Sequence, residues 1–131
     1  MNALLANKYN QLCDKYGCNH NIAKLLGSKY KANQVSNVLV KSCVLGGCSH
    51  DLENLFLTFN QVIIQNDFGG DEFNQFCELS PLLVRWISID LELSVSQLRG
   101  FIAVNGRIDS KEIINHIVSG YATWSLEHEL Q

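Results

Sequence analysis

An all-α fold is what this sequence predicts, and three observations carry the expectation. Apolar residues recur at spacings of three and four along most of the chain, the period of one helix face. Stop and start signals fall between those runs: Gly17, Gly27, Gly46-Gly47 and Gly106 as stops, Ser94-x-x-Gln97 and Asp109-x-x-Glu112 as capping boxes. Alternation of the kind a strand shows is confined to residues 87 to 93.

Taken in order, residues 3 to 16 place Leu5, Tyr9, Leu12, Cys13 and Tyr16 on one helical face, and Gly17 supplies the left-handed residue that ends it. Asn19 or Asn21 can cap a second helix carrying Ile22, Ala23, Leu25 and Leu26, which Gly27 closes. After the polar residues 28 to 31, a third helix shows Ala32, Val35, Val38 and Leu39 on one side and Asn33, Gln34, Ser36 and Asn37 on the other. It runs to about Leu45. Ser49 caps a fourth, with Asp51 and Glu53 in the first turn, where the helix dipole favours negative charge. Leu52, Leu55, Phe56, Phe59, Val62 and Ile63 form its apolar stripe. Residues 67 to 71, with Gly69-Gly70, are the best candidate boundary, and Phe73, Phe76 and Cys77 mark a short helical turn.

Residues 80 to 93 read two ways. Pro81 suits the first position of a helix striped by Leu82, Trp86, Ile89 and Leu93. The alternation over 87 to 93, with Asn105-Gly106 as a turn, would instead make a small hairpin around residues 87 to 108. The helix is preferred and the hairpin kept as the other reading. The last helix starts at Ser110 and runs to about Glu129, with Ile113, Ile114, Ile117, Val118, Tyr121 and Trp124 at helical spacing.

The 131 residues suffice to bury a core unaided. No uncharged apolar run reaches the ~18 residues of a membrane span. The first residues lack a basic leader and a small-residue cleavage site, which points to the cytoplasm. Five cysteines, an odd number, give no regular disulfide framework. The net charge of −3 hides a split: residues 1 to 48 carry six lysines against Asp14 alone, or +5, and residues 49 to 131 carry −8. The expected organisation is therefore a basic head, residues 1 to 48, and an acidic helical body, residues 49 to 131, available for dimerisation.

In the head, Ala23 and Gly27 stand four apart in Ile22-Ala23-Lys24-Leu25-Leu26-Gly27, as close packing of two helices at a corner requires. Val35-Ser36-Asn37-Val38-Leu39 follows. With the aromatic-glycine pair Tyr16-Gly17 before it, this stretch resembles the Cro and phage-repressor family of helix–turn–helix regulators over about residues 3 to 42. The resemblance implies a second helix laid in the DNA major groove. Asn33, Gln34, Ser36 and Asn37 are then the candidate base readers, and Lys24, Lys29, Lys31 and Lys41 the candidate phosphate contacts. One departure stands out. The family's first buried aliphatic position falls here on Asn33, and Val35 comes two residues later, so a turn two residues longer is expected.

An echo frames the head: C-x-x-x-G-C-[N/S]-H at Cys13, Cys18 and His20, and again at Cys43, Cys48 and His50. Thiolate and imidazole together suit zinc. The spacing also fits two helix corners, with Cys43 and Cys48 touching as the apolar contact of a Schellman motif around Gly47, and the corner reading is preferred to a zinc site. No phosphate loop, paired-carboxylate motif or nucleophile elbow occurs, so no enzyme is expected and no cofactor beyond that zinc.

The leading expectation is a cytoplasmic, DNA-binding transcriptional regulator of bacterial, phage or plasmid type, a homodimeric repressor with duplex DNA as its partner. The alternative is a protein-interaction module, such as an immunity protein, antitoxin or phage-encoded inhibitor, whose acidic surface meets a basic protein. If the chain dimerises, the apolar stripes at residues 52 to 63 and 113 to 124 are the candidate surface, although core is the preferred reading of each.

Overall fold

The computed structural model of the chain describes Gln11 and residues 18 to 128. The expected helix over residues 3 to 16, with Cys13 and Gly17, lies outside the described residues. Among those residues there are seven α-helices and no strand, so the all-α expectation holds. Helix α1 spans Cys18–Leu26 and α2 Lys29–Leu45; a 3-10 turn at Ser49–Asp51 leads into α3, Leu52–Gln65. Then come α4 (Gly70–Leu79), α5 (Pro81–Leu91), α6 (Val95–Asn105) and α7 (Ser110–His128). No described helix is long and apolar enough to cross a membrane.

The corner between α1 and α2 is tighter than the sequence suggests. Gly27 takes φ +70°, and its N–H and that of Ser28 both reach the Ala23 carbonyl, at 2.7 and 3.2 Å, which stops α1. The Ser28 hydroxyl accepts the Lys31 N–H at 3.2 Å, so α2 starts at Lys29, and Ala32 makes its first buried contact. The longer turn does not form, because a serine cap directly after the glycine starts the helix at once. Asn19 and Asn21 lie inside α1 rather than capping it.

The corner between α2 and α3 is the expected Schellman motif. Gly47 has φ +75°, the Cys48 N–H donates to the Cys43 carbonyl at 2.8 Å, and the Gly47 N–H to the Val44 carbonyl at 3.3 Å. The ambiguous stretch resolves as helix. Pro81 opens α5, and Leu83, Val84, Trp86 and Ile87 are buried at helical spacing. Residues 87 to 108 form no hairpin, because Ser94 and Gln97 close a capping box at 3.0 and 2.8 Å and Gly106 ends α6.

The loops after α3 and α6 meet. Phe68 and Ile108 exchange both backbone hydrogen bonds, at 2.9 and 3.0 Å. Two residues before each stands a positive-φ residue, Asn66 at +54° and Gly106 at +86°. Four residues after each stands a glutamate that opens the next helix. The Glu72 carboxylate accepts the Gly69 N–H, and the Glu112 backbone N–H donates to the Asp109 carboxylate at 2.9 Å. Two helix–loop–helix units are thus joined back to back. Residues 67 to 71, which the sequence marks as a boundary, are pinned by this pairing.

One contiguous apolar cluster draws on both charge halves, from Ile22 and Leu39 to Phe59, Phe76, Trp86 and Ile117. Phe76 stands with ring centres 6.3 Å from Phe59 and 5.1 Å from Phe68. Each such side chain contributes about 2 kcal/mol on burial. The stripe from Leu52 to Ile63 is buried within this cluster, as are Ile113, Ile114 and Ile117. Both stripes therefore serve the core, as the preferred reading has it, with Val118, Tyr121 and Trp124 partly buried against it.

Candidate nucleic-acid interface

Helix α2 divides sharply along its length. In its first turns Lys29, Tyr30, Lys31, Asn33 and Gln34 are exposed, with only Ala32 turned inward. From Val35 to Cys43 every residue is buried except Asn37 and Lys41, which are half-buried. The basic end therefore projects beyond the core while the remainder is held by it. Lys24 is exposed on α1, just before the corner. The ion pairs among the described residues are His50–Asp51, Arg107–Asp67 and His116–Asp90, so none of Lys24, Lys29 and Lys31 has a described acidic partner. Tyr30, 78% exposed between two lysines, is a candidate contact the sequence reading missed; a tyrosine without a helical-stripe partner was the available signal.

The structure keeps some of the expected base readers together and removes others. Asn33 and Gln34 stay on the projecting part. Ser36 is a correction: it is 0% exposed, so its hydroxyl cannot reach a base edge. Its position follows from helical geometry, since Ala32, Leu39 and Cys43 lie on the same face and are all buried. Asn37 and Lys41 are displaced from the outward face by α7. Together with Gln34, Tyr121, Ser125 and Leu126 they line a groove of about 460 Å³ between α2 and α7. The Lys41 ammonium donates to the Tyr121 hydroxyl at 2.7 Å and sits 4.8 Å from that ring's centre. Lys41 thus ties α2 to α7.

The cysteine–histidine echo does not assemble in the part described. Cys43 is buried, Cys48 half-buried, and the exposed His50 ring lies 3.3 Å from the Asp51 carboxylate. His20 is exposed on α1; Cys13 and the Cys18 side chain lie outside what is described. Among the described residues no three His, Cys, Asp or Glu side chains gather as metal ligands. Burial pushes the Cys43 thiol up to about 11, against partial relief from the Ser42 and Ser80 hydroxyls. A thiol so held is neither a ready ligand nor a nucleophile.

The paired loops have the register of calcium loops without the donors. With Gly106 at the sharp turn, the sixth position, Glu112 falls on the closing twelfth. The first, third and fifth positions are then Phe101, Ala103 and Asn105, inside α6. The companion loop, counted from Asn66, offers Gln61, Ile63 and Gln65 within α3. None of these six is a carboxylate, Phe101, Ala103 and Ile63 offer no side-chain oxygen, and all six are held in helix rather than loop, so the residues present do not fit calcium. Hydrogen bonds close the loops instead: the Asn66 side chain accepts the Ser110 N–H at 3.0 Å, and the Ser110 hydroxyl donates to the Val62 carbonyl at 2.9 Å.

No protein-family model matches the chain, and no curated protein or solved structure is significantly similar to it.

Proposed function

We propose that this chain binds duplex DNA through the projecting first turns of α2, as a transcriptional regulator. The observation that carries the reading is the division of α2, whose exposed part holds Lys29, Tyr30, Lys31, Asn33 and Gln34 while the rest is anchored in the core. A helix read from its N-terminal end by a DNA groove needs that arrangement, with polar side chains free of the core and a rigid support behind them. Lys24, Lys29 and Lys31 would neutralise phosphates on either side of the corner, and Asn33 and Gln34 have the paired donor and acceptor suited to adenine.

The test is a mobility-shift titration against the DNA upstream of the chain's own coding sequence. A shift that weakens with salt by about 0.9 decades per decade for each phosphate neutralised supports the reading. Lys29→Glu combined with Lys31→Glu should abolish it. No shift at low salt, even at micromolar protein, would sink it.

A second reading is a protein-interaction module, favoured by the acids gathered at the paired loops. Asp71, Asp109 and Glu112 are exposed there, beside Asp67 and Glu72. A basic protein partner would meet that end, and the double lysine reversal would leave its binding intact.

A further inference from the structure

The outward face of α3 carries a line of side chains that the core does not use. Glu53, Leu57 and Ile64 fall within about 40° of one another around the helix, at i, i+4 and i+11. Leu57 is 57% exposed and Ile64 68%, and the two share one stripe of the helix. Beside Ile64 a groove of about 440 Å³ opens between α1 and α3, where Leu25 and Ile63 meet Lys24 and Lys111. The two helices are tied there by a hydrogen bond from the Asn21 side-chain N–H to the Asn60 side-chain oxygen at 2.7 Å.

The position of Lys111 is fixed. It follows Ser110, whose N–H and hydroxyl are bonded to Asn66 and Val62 at the C-terminal end of α3. The exposed face of α3 therefore has an acid at its start, two apolar residues along it, and a lysine at its end. Neither Glu53 nor Lys111 has an ion-pair partner among the described residues.

We infer that this face pairs with the same face of a second copy of the chain, α3 against α3 in antiparallel orientation about a two-fold axis. Self-complementarity is what an isologous interface requires, and this line of residues has it. With the axis level with Asn60 and Gln61, Leu57 of one protomer opposes Ile64 of the other. Glu53, one turn before Leu57, then lands one turn beyond the partner's Ile64, at the end of α3 where the partner's Lys111 stands. Symmetry makes each contact twice. A basic or acidic foreign helix would satisfy one end of the line and leave like charge at the other. The inference goes beyond the DNA reading and is tested without DNA, so either can fail alone.

Sedimentation of the full chain over about 1 μM to 1 mM, with circular dichroism of each variant to confirm its helices, tests the interface. A monomer–dimer equilibrium is expected. Ile64→Glu should weaken it at least ~10-fold, by burying a charge among apolar side chains. Glu53→Lys and Lys111→Glu should each weaken it by roughly 3- to 10-fold through like-charge pairing, and the two together should return it to within ~3-fold of the parent. A chain that stays monomeric at ~1 mM overturns the inference, and so does a dimer indifferent to Ile64→Glu. A dimer lost in each charge variant and not restored by the pair overturns the antiparallel register, and the inference with it. Binding of a helical peptide with acidic flanks by the parent, displaced by no second copy, would assign the face to a foreign partner instead.

Discussion

Gly120 of α7 lies directly against the carbonyl of Trp86 in α5, so near that the first carbon of any side chain would overlap it. The two helices are in close apposition at this point, and Trp86 is wholly buried, with its ring 4.9 Å from Tyr121 and 5.5 Å from Trp124. The approach explains a glycine in mid-helix, where it otherwise costs about 1 kcal/mol relative to alanine.

Gly120→Ala should therefore destabilise the protein where helix propensity alone predicts a gain. Forcing α7 away from α5 costs about 3 kcal/mol, which for a chain of this size lowers Tm by roughly 10 °C. Thermal unfolding followed by circular dichroism checks it. An unchanged or raised Tm would mean that the helices do not approach this closely.

Cys43 should resist thiol reagents in the folded state. With its thiol at about 11, on the order of one molecule in a thousand is thiolate at pH 8. Cys48 and Cys77, only half-buried, should react first. Mass spectrometry after brief alkylation at pH 8, without and with denaturant, locates the modified residues.

The same thiol makes stability depend on pH at the alkaline end. The folded value lies above the ordinary 9.0, so the unfolded chain ionises first as pH rises. The contribution is complete below about pH 9 and is lost between about 9 and 11, amounting to about 2–3 kcal/mol. Urea unfolding of the parent and of Cys43→Ala at pH 8 and pH 10.5 should show their difference narrowing at the higher pH.

Asn66 carries two structural duties, a backbone at φ +54° and a side chain that accepts the Ser110 N–H. Asn66→Gly keeps the first and loses the second, at about 1 kcal/mol; Asn66→Ala loses both, at about 2 kcal/mol. The ordering alanine worse than glycine, measured by chemical denaturation, is the distinctive outcome. The reverse ordering would rule out a left-handed backbone there.

Lys41 and Tyr121 should behave as one interaction. Lys41→Met and Tyr121→Phe are each expected to cost about 1 kcal/mol of stability, and the double variant no more than either alone. If Lys41 instead served DNA, Lys41→Met would weaken a mobility shift and leave stability unchanged.

The helices were legible because their signals are local. Ser94 with Gln97, Pro81 and the corner around Gly47 act within a few residues of chain and form as their spacing predicts, and Asp109 accepts the Glu112 N–H as one half of its box. The stripe from Leu52 to Ile63 announced a buried face for the same reason. Where two local signals competed, as over residues 87 to 93, burial of Leu83, Val84, Trp86 and Ile87 decided for helix.

The candidate site was only half legible. Asn33, Gln34 and the lysines around the corner could be placed on a helix from their spacing, but a helix has several faces and spacing does not say which of them a neighbour covers. Ser36 falls on the face packed into the core. Lys41 meets Tyr121 across 80 residues, a relation no local pattern encodes.

By itself the sequence determined most of the helices, the corner at Gly47 and how charge divides between the two parts of the chain, since these rest on contacts within a few residues. Only the tertiary structure decided which faces are spent on the core. Packing α7 against α2 and α5 took Asn37 and Lys41 out of the outward face, joining Phe68 to Ile108 turned an apparent boundary into a clasp, and filling one side of α3 left Leu57 and Ile64 on the other. Those outcomes depend on residues brought together from distant parts of the chain.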